Sequence, residues 1–317
     1  MFLEKLNRYF RRYEIALGAR KRTAPVLPLV AEAENYSVLD AIKDKLGKDK
    51  ASVKQHNGDI VELVKVKHIP EKAIVVLLFH RASPDAADPS YRKKEDGKLT
   101  VRIADKDFDE EQSVSAHLII RSIPCKDNNY HAVLEEIPGL SMATVREVIG
   151  TILHDYPYQF EKKGTKEDTT YCTVKAEGIK SETVADALRT GRASWITLTR
   201  PAPPEYIDGD GLWIPTSNVM KLRVKGIITE GNWRDKIGNL LSIAKNDGWE
   251  KFNVEISLSD QRTRQVSLDR DQDAKEILFV KADRVELSRE IPACSTDIHE
   301  DLVDKGIAVL EIIESKC

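Results

Sequence analysis

Apolar and polar positions along the first half of the chain predict a sheet covered by two helices. Residues 73–79 are apolar throughout and predict a buried strand. Alternating or β-rich patterns predict further strands at 60–69, 98–104, 114–121 and 130–137. The connections are too short for helical crossovers, which favours antiparallel neighbours. Apolar positions at helical spacing follow Ser37 and Ser141, so each serine is expected to cap a helix.

The second half of the chain predicts the order β-α-β-β-α-β, which is that of the ferredoxin-like unit. Capping residues and apolar spacing give helices that begin at Ser181 and Asn232. The strands of this unit are expected at 169–176, 194–199, 219–227 and 252–258. Beyond it the pattern predicts strands at 263–268 and 276–287, then a short helix and a last strand within 297–313.

The polar, charged segment at 157–168 is typical of a linker or a long surface loop and predicts a domain boundary there. Residues 1–157 are therefore expected to form an α+β domain dominated by an antiparallel sheet. Residues 158–317 are expected to form a ferredoxin-like (βαββαβ) α+β domain with extra strands and a C-terminal extension.

Composition adds expectations about the compartment. No window approaches 18 uninterrupted apolar residues, and the N-terminus lacks the apolar block of a signal peptide, so no membrane insertion is expected. The four cysteines, Cys125, Cys172, Cys294 and Cys317, are far apart and lack zinc-type spacing. We therefore expect reduced thiols, a cytoplasmic protein and no bound metal or cofactor. A net charge of -3 argues against a wholly basic nucleic-acid binder but permits a local basic patch.

Three cations alternate along the predicted strand at 220–226. Lys221, Arg223 and Lys225 fall on one face because side chains alternate with period two. The three positive charges repel one another in water, whereas binding to a phosphate backbone compensates that repulsion. Arg262 and Arg264 would extend this basic region. The alternative is an ordinary solvent-facing side of a half-buried sheet.

Residues 1–22 carry a second basic cluster, with seven basic against two acidic side chains. Arg11 and Arg12 lie inside it, interleaved with Tyr9, Phe10 and Tyr13. The cluster is either an arm laid on phosphates, with aromatics for stacking, or a first strand over residues 9–17 whose basic side chains face solvent. The strand is the favoured interpretation, since charge clusters usually form solvated faces.

The polar loop after the apolar strand, residues 80–92, is a further candidate functional segment. It contains His80, Arg81, Asp85, Asp88 and Arg92. With the acid and lysine of residues 96–98, it imitates the pattern of metal-dependent nucleases, which need the second acid and the lysine on a strand beside the first acid. Residues 94–98 predict a turn instead. The favoured alternative is that the acids cap turns and pair with the arginines.

The second half also resembles a known family. The basic strand Lys221–Lys225, the helix Asn232–Asn246 and the strand Phe252–Leu258 resemble the RexA phage-exclusion proteins and their relative, the recombination-associated protein RdgC. The strand at 113–120 looks like that of phage and bacterial proteins. The resemblance implies a cytoplasmic homodimer that clamps duplex DNA with little sequence preference and takes part in phage exclusion or antiviral defence. The near-neutral net charge departs from that family's expected basic surplus.

Three functions follow from these observations. The first is non-enzymatic, largely sequence-nonspecific DNA binding in a phage or anti-phage system. The second is a protein–protein interaction subunit of a defence system, in which residues 73–145 dock a partner encoded nearby. The third is a metal-dependent nuclease. We rank them in that order. The nuclease comes last because residues 94–98 match the nuclease pattern poorly, and because glycine-rich phosphate loops and nucleophile elbows, which mark common enzymes, are missing from the sequence.

Overall fold

Residue contacts divide the chain into two compact units. The computed structural model describes residues 3–31, 36–48, 51–95, 98–161, 167–183, 193–202, 214–225, 233–257, 263–268, 278–280 and 282–314. The first unit comprises residues 1–177 and 283–317, and the second comprises residues 178–282. The boundary expected near residue 157 therefore lies within the first unit, and the C-terminal segment returns to that unit.

The fold is mixed α and β, with more strand than helix, as the sequence predicts. The described helices are α1 (Val38–Leu46), α2 (Met142–His154), α3 (Trp233–Asn246) and α4 (Glu300–Glu314). The described strands are β1 (Asn7–Ala19), β2 (Ser52–Lys54), β3 (Ile60–Ile69), β4 (Ile74–Ser83), β5 (Ser90–Glu95), β6 (Lys98–Ile103), β7 (Gln112–Arg121), β8 (Asn129–Glu135), β9 (Tyr158–Phe160), β10 (Asp168–Thr170), β11 (Cys172–Gly178), β12 (Lys180–Thr183), β13 (Ala193–Pro201), β14 (Ser217–Arg223), β15 (Lys251–Ser257), β16 (Thr263–Leu268), β17 (Leu278–Val280) and β18 (Ala282–Glu286).

An eight-stranded sheet forms the centre of the first unit. Its order is β11-β1-β8-β7-β4-β3-β2, and β18 also pairs with β1. The pairs β1–β8, β8–β7, β7–β4, β4–β3 and β3–β2 are all antiparallel. Residues 74–79 of β4 are fully buried because helices cover both faces of the sheet. This double burial explains why β4 is an uninterrupted apolar run.

Helices α1 and α2 cover one face of this sheet. Ser37 caps α1 in a reciprocal arrangement, since its hydroxyl accepts from the Asp40 backbone N–H while the Asp40 carboxylate accepts from that of Ser37. Ser141 caps α2 through the Thr144 backbone N–H. Both predicted caps are confirmed.

Helix α4 covers the opposite face, where the sequence predicted a short helix and a final strand. The strand prediction is wrong, because residues 300–314 form one continuous helix. Gly306 lets this helix approach the sheet closely: a Cβ built there would lie 2.2 Å from Ile119 Cδ1 and 3.3 Å from Phe10 Cζ. None of the helices in the described part of the chain is long and apolar enough to cross a membrane.

The second unit contains a four-stranded antiparallel sheet of order β14-β13-β15-β16. The ferredoxin-like arrangement is not confirmed. Strand β11, expected as its first strand, lies beside β1 in the larger sheet. Ser181, expected to cap a helix, lies within β12, which pairs with β17. Most of that expected helix, residues 184–192, falls outside the described residues.

Candidate nucleic-acid interface

The register of β14, β13 and β15 brings cations and an aromatic ring to one face of the second unit's sheet. Arg223 and Glu255 are both directly opposite Trp195. Lys221 is opposite Thr197, and Lys251 is opposite Thr199. Directly opposed residues point to the same face of a sheet. Trp195, Lys221, Arg223 and Lys251 therefore share one face, here called the tryptophan–cation face.

Two cations of β14 lie over the Trp195 ring. Lys221 Nζ lies 5.0 Å from the ring centre and the Arg223 guanidinium carbon lies 5.8 Å from it. Both distances are within the range of cation–π attraction. Lys221 Nζ also lies 3.4 Å from Glu255 Oε2, and the lysine side chain is half exposed. The Glu255 side chain is 16 % exposed, but solvent reaches the pair through the half-exposed lysine, so the pair contributes about 1 kcal/mol and a phosphate can replace the carboxylate.

The other face of the same strands forms the core of the second unit. Ile196, Leu198, Phe252 and Val254 are 4 % exposed or less, whereas Lys221, Arg223 and Lys251 are exposed. The alternation of apolar and polar side chains thus fixes which face looks to solvent. A rigid sheet with one buried face is a suitable support for side chains that must bind a ligand from solvent.

The basic residues predicted to form one surface do not all lie together in the structure. Lys221 and Arg223 alternate with the half-buried Leu222 as expected, and Lys225 is exposed two residues beyond the end of β14. Arg262 lies outside the described residues. Arg264 is paired with Ile256, one residue out of phase with Glu255. The register therefore does not bring Arg264 into the row of Trp195 and Arg223.

The N-terminal basic cluster lies in strand β1 of the central sheet, which confirms the favoured strand interpretation, but Arg12 does not face solvent as that interpretation predicts. The Arg12 guanidinium donates to Asp283 at 2.7 Å, and the residue is only 5 % exposed. Arg11 forms an ion pair with Glu136. Both arginines are thus engaged with carboxylates of the first unit, which leaves Arg12 little surface to offer a phosphate.

The five residues of the 80–92 loop are not brought together. His80 and Arg81 belong to β4 and point to opposite faces, since they are consecutive in a strand. Arg81 donates to Asp59 and to the Pro138 carbonyl, whereas an ion pair with the loop acids was expected. Asp85 is exposed and Asp88 is half-buried in the connection after β4, while Arg92 is exposed on β5.

Hydrogen-bond donors surround the carboxylate of Asp59. Its side chain is buried and accepts from Ser83 at 2.6 Å and from Arg81 Nε at 2.8 Å. The Ser83 hydrogen bond, with those from Arg81 and Asn57, holds the pKa of Asp59 below its usual value against the effect of burial. Because both oxygens have donors and the group is buried, this cluster fixes the end of β4.

For the nuclease alternative, β5 and β6 form a hairpin in which Glu95 is opposite Lys98. Residues 94, 95 and 98 therefore belong to the strands, where the sequence predicts a turn over 94–98, and Asp96 falls outside the described residues. Asp85 precedes this hairpin rather than belonging to it.

The sequence did not reveal a buried ionic network on the α4 face of the central sheet. Glu135 accepts from Arg8 Nε at 2.9 Å and lies 2.8 Å from His117 Nδ1. These three residues are 2 % exposed or less. The His299 backbone N–H donates to His117 Nε2 at 3.4 Å. The network joins β1, β7 and β8 to the segment before α4, and its burial favours a structural role.

A thiol–imidazole pair lies on the same face, at the half-buried edge. The Cys294 thiol and the His80 imidazole interact and shift each other's pKa, and His80 Nε2 lies 2.8 Å from the Ser295 carbonyl oxygen. Burial raises the pKa of Cys294, but its hydrogen bonds to His80 and Ser113 outweigh this, and the net pKa is lowered. The Cys294 hydrogen bond also raises the pKa of His80 despite desolvation. His80, one of the loop residues predicted from the sequence, therefore interacts with a thiol and has a raised pKa.

Comparison with known proteins identifies no relative: no family model matches the chain, and neither a curated protein nor a solved structure matches it. The resemblance to the RexA and RdgC proteins therefore stays a prediction. Any function must be argued from the geometry of the chain itself.

Proposed function

We propose that this protein is a non-enzymatic DNA-binding protein with little sequence preference, and that DNA binds to the tryptophan–cation face. The observation that carries the proposal is that Lys221 and Arg223 of β14 both lie over the half-buried Trp195 ring on the solvent-facing side of the sheet. Proteins that bind single strands combine a cationic track for the backbone with an aromatic ring on which bases stack. Both parts are present here within three neighbouring strands.

The expected binding mode follows from this geometry. A phosphate displaces Glu255 from Lys221, and a second phosphate binds Arg223. In this mode Lys221 and Arg223 turn from the Trp195 ring toward the phosphates, and the ring is then open to an unpaired base, which duplex DNA does not offer without unstacking. We therefore expect single-stranded DNA to bind more tightly than a duplex of the same sequence.

The proposal is tested by fluorescence anisotropy with labelled single-stranded and duplex oligonucleotides. The double variant Lys221→Glu/Arg223→Glu is expected to weaken single-strand binding at least about tenfold at low salt. The matched control is Lys48→Glu/Lys54→Glu, which makes the same change in net charge at exposed lysines of the first unit. Equal affinities for the two double variants would contradict the proposal.

The biological setting and the oligomeric state are proposals that rest on the resemblance alone. We propose a homodimer that acts in phage exclusion or anti-phage defence. A mass measurement in solution tests the first part, since a monomer at micromolar concentration contradicts it. A plaque assay on cells with and without the intact protein tests the second, since equal plating efficiencies contradict it.

A partner-binding role is the alternative, and one observation favours it. The β5–β6 hairpin carries Val101 and Ile103 together on one face, 64 % and 55 % exposed, and Tyr91, 55 % exposed, on the other face. Clustered exposed apolar side chains are typical of interaction surfaces. Co-expression with a protein encoded nearby tests this role, and the Val101→Ser/Ile103→Ser variant is expected to abolish co-purification. A complex that survives these substitutions would exclude the hairpin as the docking site.

A further inference from the structure

Three potential metal ligands converge at one end of the β1–β8 pair. A carboxylate oxygen of Glu14, the thiol sulfur of Cys125 and a ring nitrogen of His131 all lie within 4.8 Å of one another. His131 is buried, Glu14 is half-buried and Cys125 is exposed. The cluster is thus anchored on its His131 side and open to solvent on its Cys125 side.

The strand register explains why two of these residues meet. Glu14 is directly opposite His131 in the antiparallel pair of β1 and β8. Directly opposed residues have Cβ atoms about 4.5–5.5 Å apart and point to the same face. The backbone of two central strands therefore fixes the separation of the carboxylate and the imidazole.

The turn before β8 brings the third residue. The Cys125 backbone N–H donates to the Asn129 carbonyl at 2.8 Å, and the Asn129 N–H donates to the Lys126 carbonyl at 2.9 Å. Asp127 closes this turn with a φ of 49°. The turn places Cys125, six residues before His131, beside the strand end that carries Glu14 and His131, although Glu14 is far from both in the sequence.

A fourth residue orients the carboxylate. The Asn129 side-chain amide donates to Glu14 Oε1 at 2.6 Å. Metal-binding carboxylates are commonly held by a hydrogen bond of this kind, which leaves the second oxygen directed at the ion. Asn129 would therefore act as a positioning residue rather than as a ligand.

We propose that Glu14, Cys125 and His131 bind a zinc ion. A set of one sulfur, one nitrogen and one oxygen ligand suits Zn²⁺, which takes bonds of about 2.0–2.3 Å to these atoms in tetrahedral geometry. Ligand atoms around such an ion lie less than 4.8 Å apart, so binding requires a small inward rotation of the exposed Cys125 side chain, which gives up the 3.2 Å hydrogen bond from its thiol to the Asn129 carbonyl. The thiol releases its proton to solvent on binding, and water completes the fourth position.

The full-length protein, stripped with a chelator and kept reduced, provides the test. Titration with Zn²⁺ is expected to saturate at one ion per chain, and Co²⁺ is expected to produce the absorption bands of a tetrahedral cobalt–thiolate site. Cys125→Ser removes one ligand from an exposed position and is expected to weaken Zn²⁺ binding more than about a hundredfold. Asn129→Ala is expected to weaken it about 10–100-fold, because the carboxylate loses its orientation.

The matched control is Cys294→Ser, which removes a half-buried thiol elsewhere in the same unit. It is expected to bind Zn²⁺ as the unchanged protein does. Failure of the unchanged protein to bind one Zn²⁺ per chain would overturn the proposal, as would equal Zn²⁺ affinities for Cys125→Ser and Cys294→Ser. Circular dichroism of each variant shows that the comparison is between folded proteins.

Discussion

The ammonium group of Lys221 lies 5.0 Å from the centre of the Trp195 ring. The two residues are diagonal neighbours on β14 and β13, because Trp195 is opposite Arg223 and Lys221 is opposite Thr197. Glu255 approaches the same ammonium from β15, at 3.4 Å. The Trp195 ring and the Glu255 carboxylate thus both attract the ammonium group of Lys221. A phosphate must compete with the carboxylate for it.

This competition predicts the effect of removing the carboxylate. Glu255→Gln keeps the size of the side chain but removes its charge, so Lys221 becomes more available to a phosphate. We expect single-stranded DNA to bind up to about fivefold more tightly, which corresponds to the strength of an exposed ion pair. Anisotropy titrations beside Glu250→Gln, an exposed carboxylate one residue before β15, provide the comparison. A loss of affinity in Glu255→Gln would contradict this binding mode.

The buried network predicts a large effect on stability. Glu135→Ala leaves Arg8 buried without its carboxylate and is expected to lower the free energy of unfolding of the first unit by about 3–5 kcal/mol. Glu290→Ala breaks the exposed Lys5–Glu290 pair and is expected to cost less than about 1 kcal/mol. Urea denaturation followed by circular dichroism measures both. Similar decreases in the free energy of unfolding for the two variants would contradict a larger contribution from the buried Arg8–Glu135 pair.

Two glycines in helices of the first unit predict opposite responses to alanine. Gly306→Ala places a Cβ against Ile119 and Phe10 in the core, and overpacking is expected to cost about 1–2 kcal/mol after the gain in helix propensity. At Gly150 the nearest atom is Val174 Cγ1 at 3.9 Å, an ordinary contact. Gly150→Ala is therefore expected to stabilise the unit by about 0.5–1 kcal/mol. Urea denaturation midpoints that move in the same direction would contradict the close packing of α4.

The Cys294–His80 pair predicts an unusually reactive thiol. A lowered pKa means that more Cys294 is thiolate near neutral pH, and the thiolate is the nucleophile. Burial raises the pKa of Cys172 to about 11, so that thiol serves as the unreactive reference. Iodoacetamide labelling read by mass spectrometry is expected to modify Cys294 well before Cys172. His80→Gln should slow the labelling of Cys294, and an unchanged rate in that variant would remove the pairing as the cause.

Much of the first unit could be predicted from local sequence. The apolar run of β4 reflects burial on both faces, and Ser37 and Ser141 mark helix starts because their hydroxyls satisfy backbone N–H groups there. The last helix was only partly predicted. Its apolar residues also suit a buried strand, since a short apolar run does not distinguish the two.

Long-range pairing could not be predicted in the same way. Strand β11 has the pattern expected for a ferredoxin-like first strand, yet it pairs with β1 from the beginning of the chain. The sequence predicted the alternation of Lys221 and Arg223, but the row with Trp195 depends on the register between β13 and β14. Likewise, Glu14 and His131 meet through the β1–β8 register, so their spacing in the sequence does not predict that they are neighbours.

The salt dependence of DNA binding tests the central proposal most directly. Each phosphate neutralised on a single strand contributes about -0.7 to the slope of log affinity against log salt concentration. Lys221→Gln/Arg223→Gln removes two such contacts and is expected to make the slope shallower by about 1.4. Lys48→Gln/Lys54→Gln should leave the slope unchanged. Equal slopes for the unchanged protein and the Lys221→Gln/Arg223→Gln variant would show that these two cations do not bind phosphate, and would contradict the proposed function.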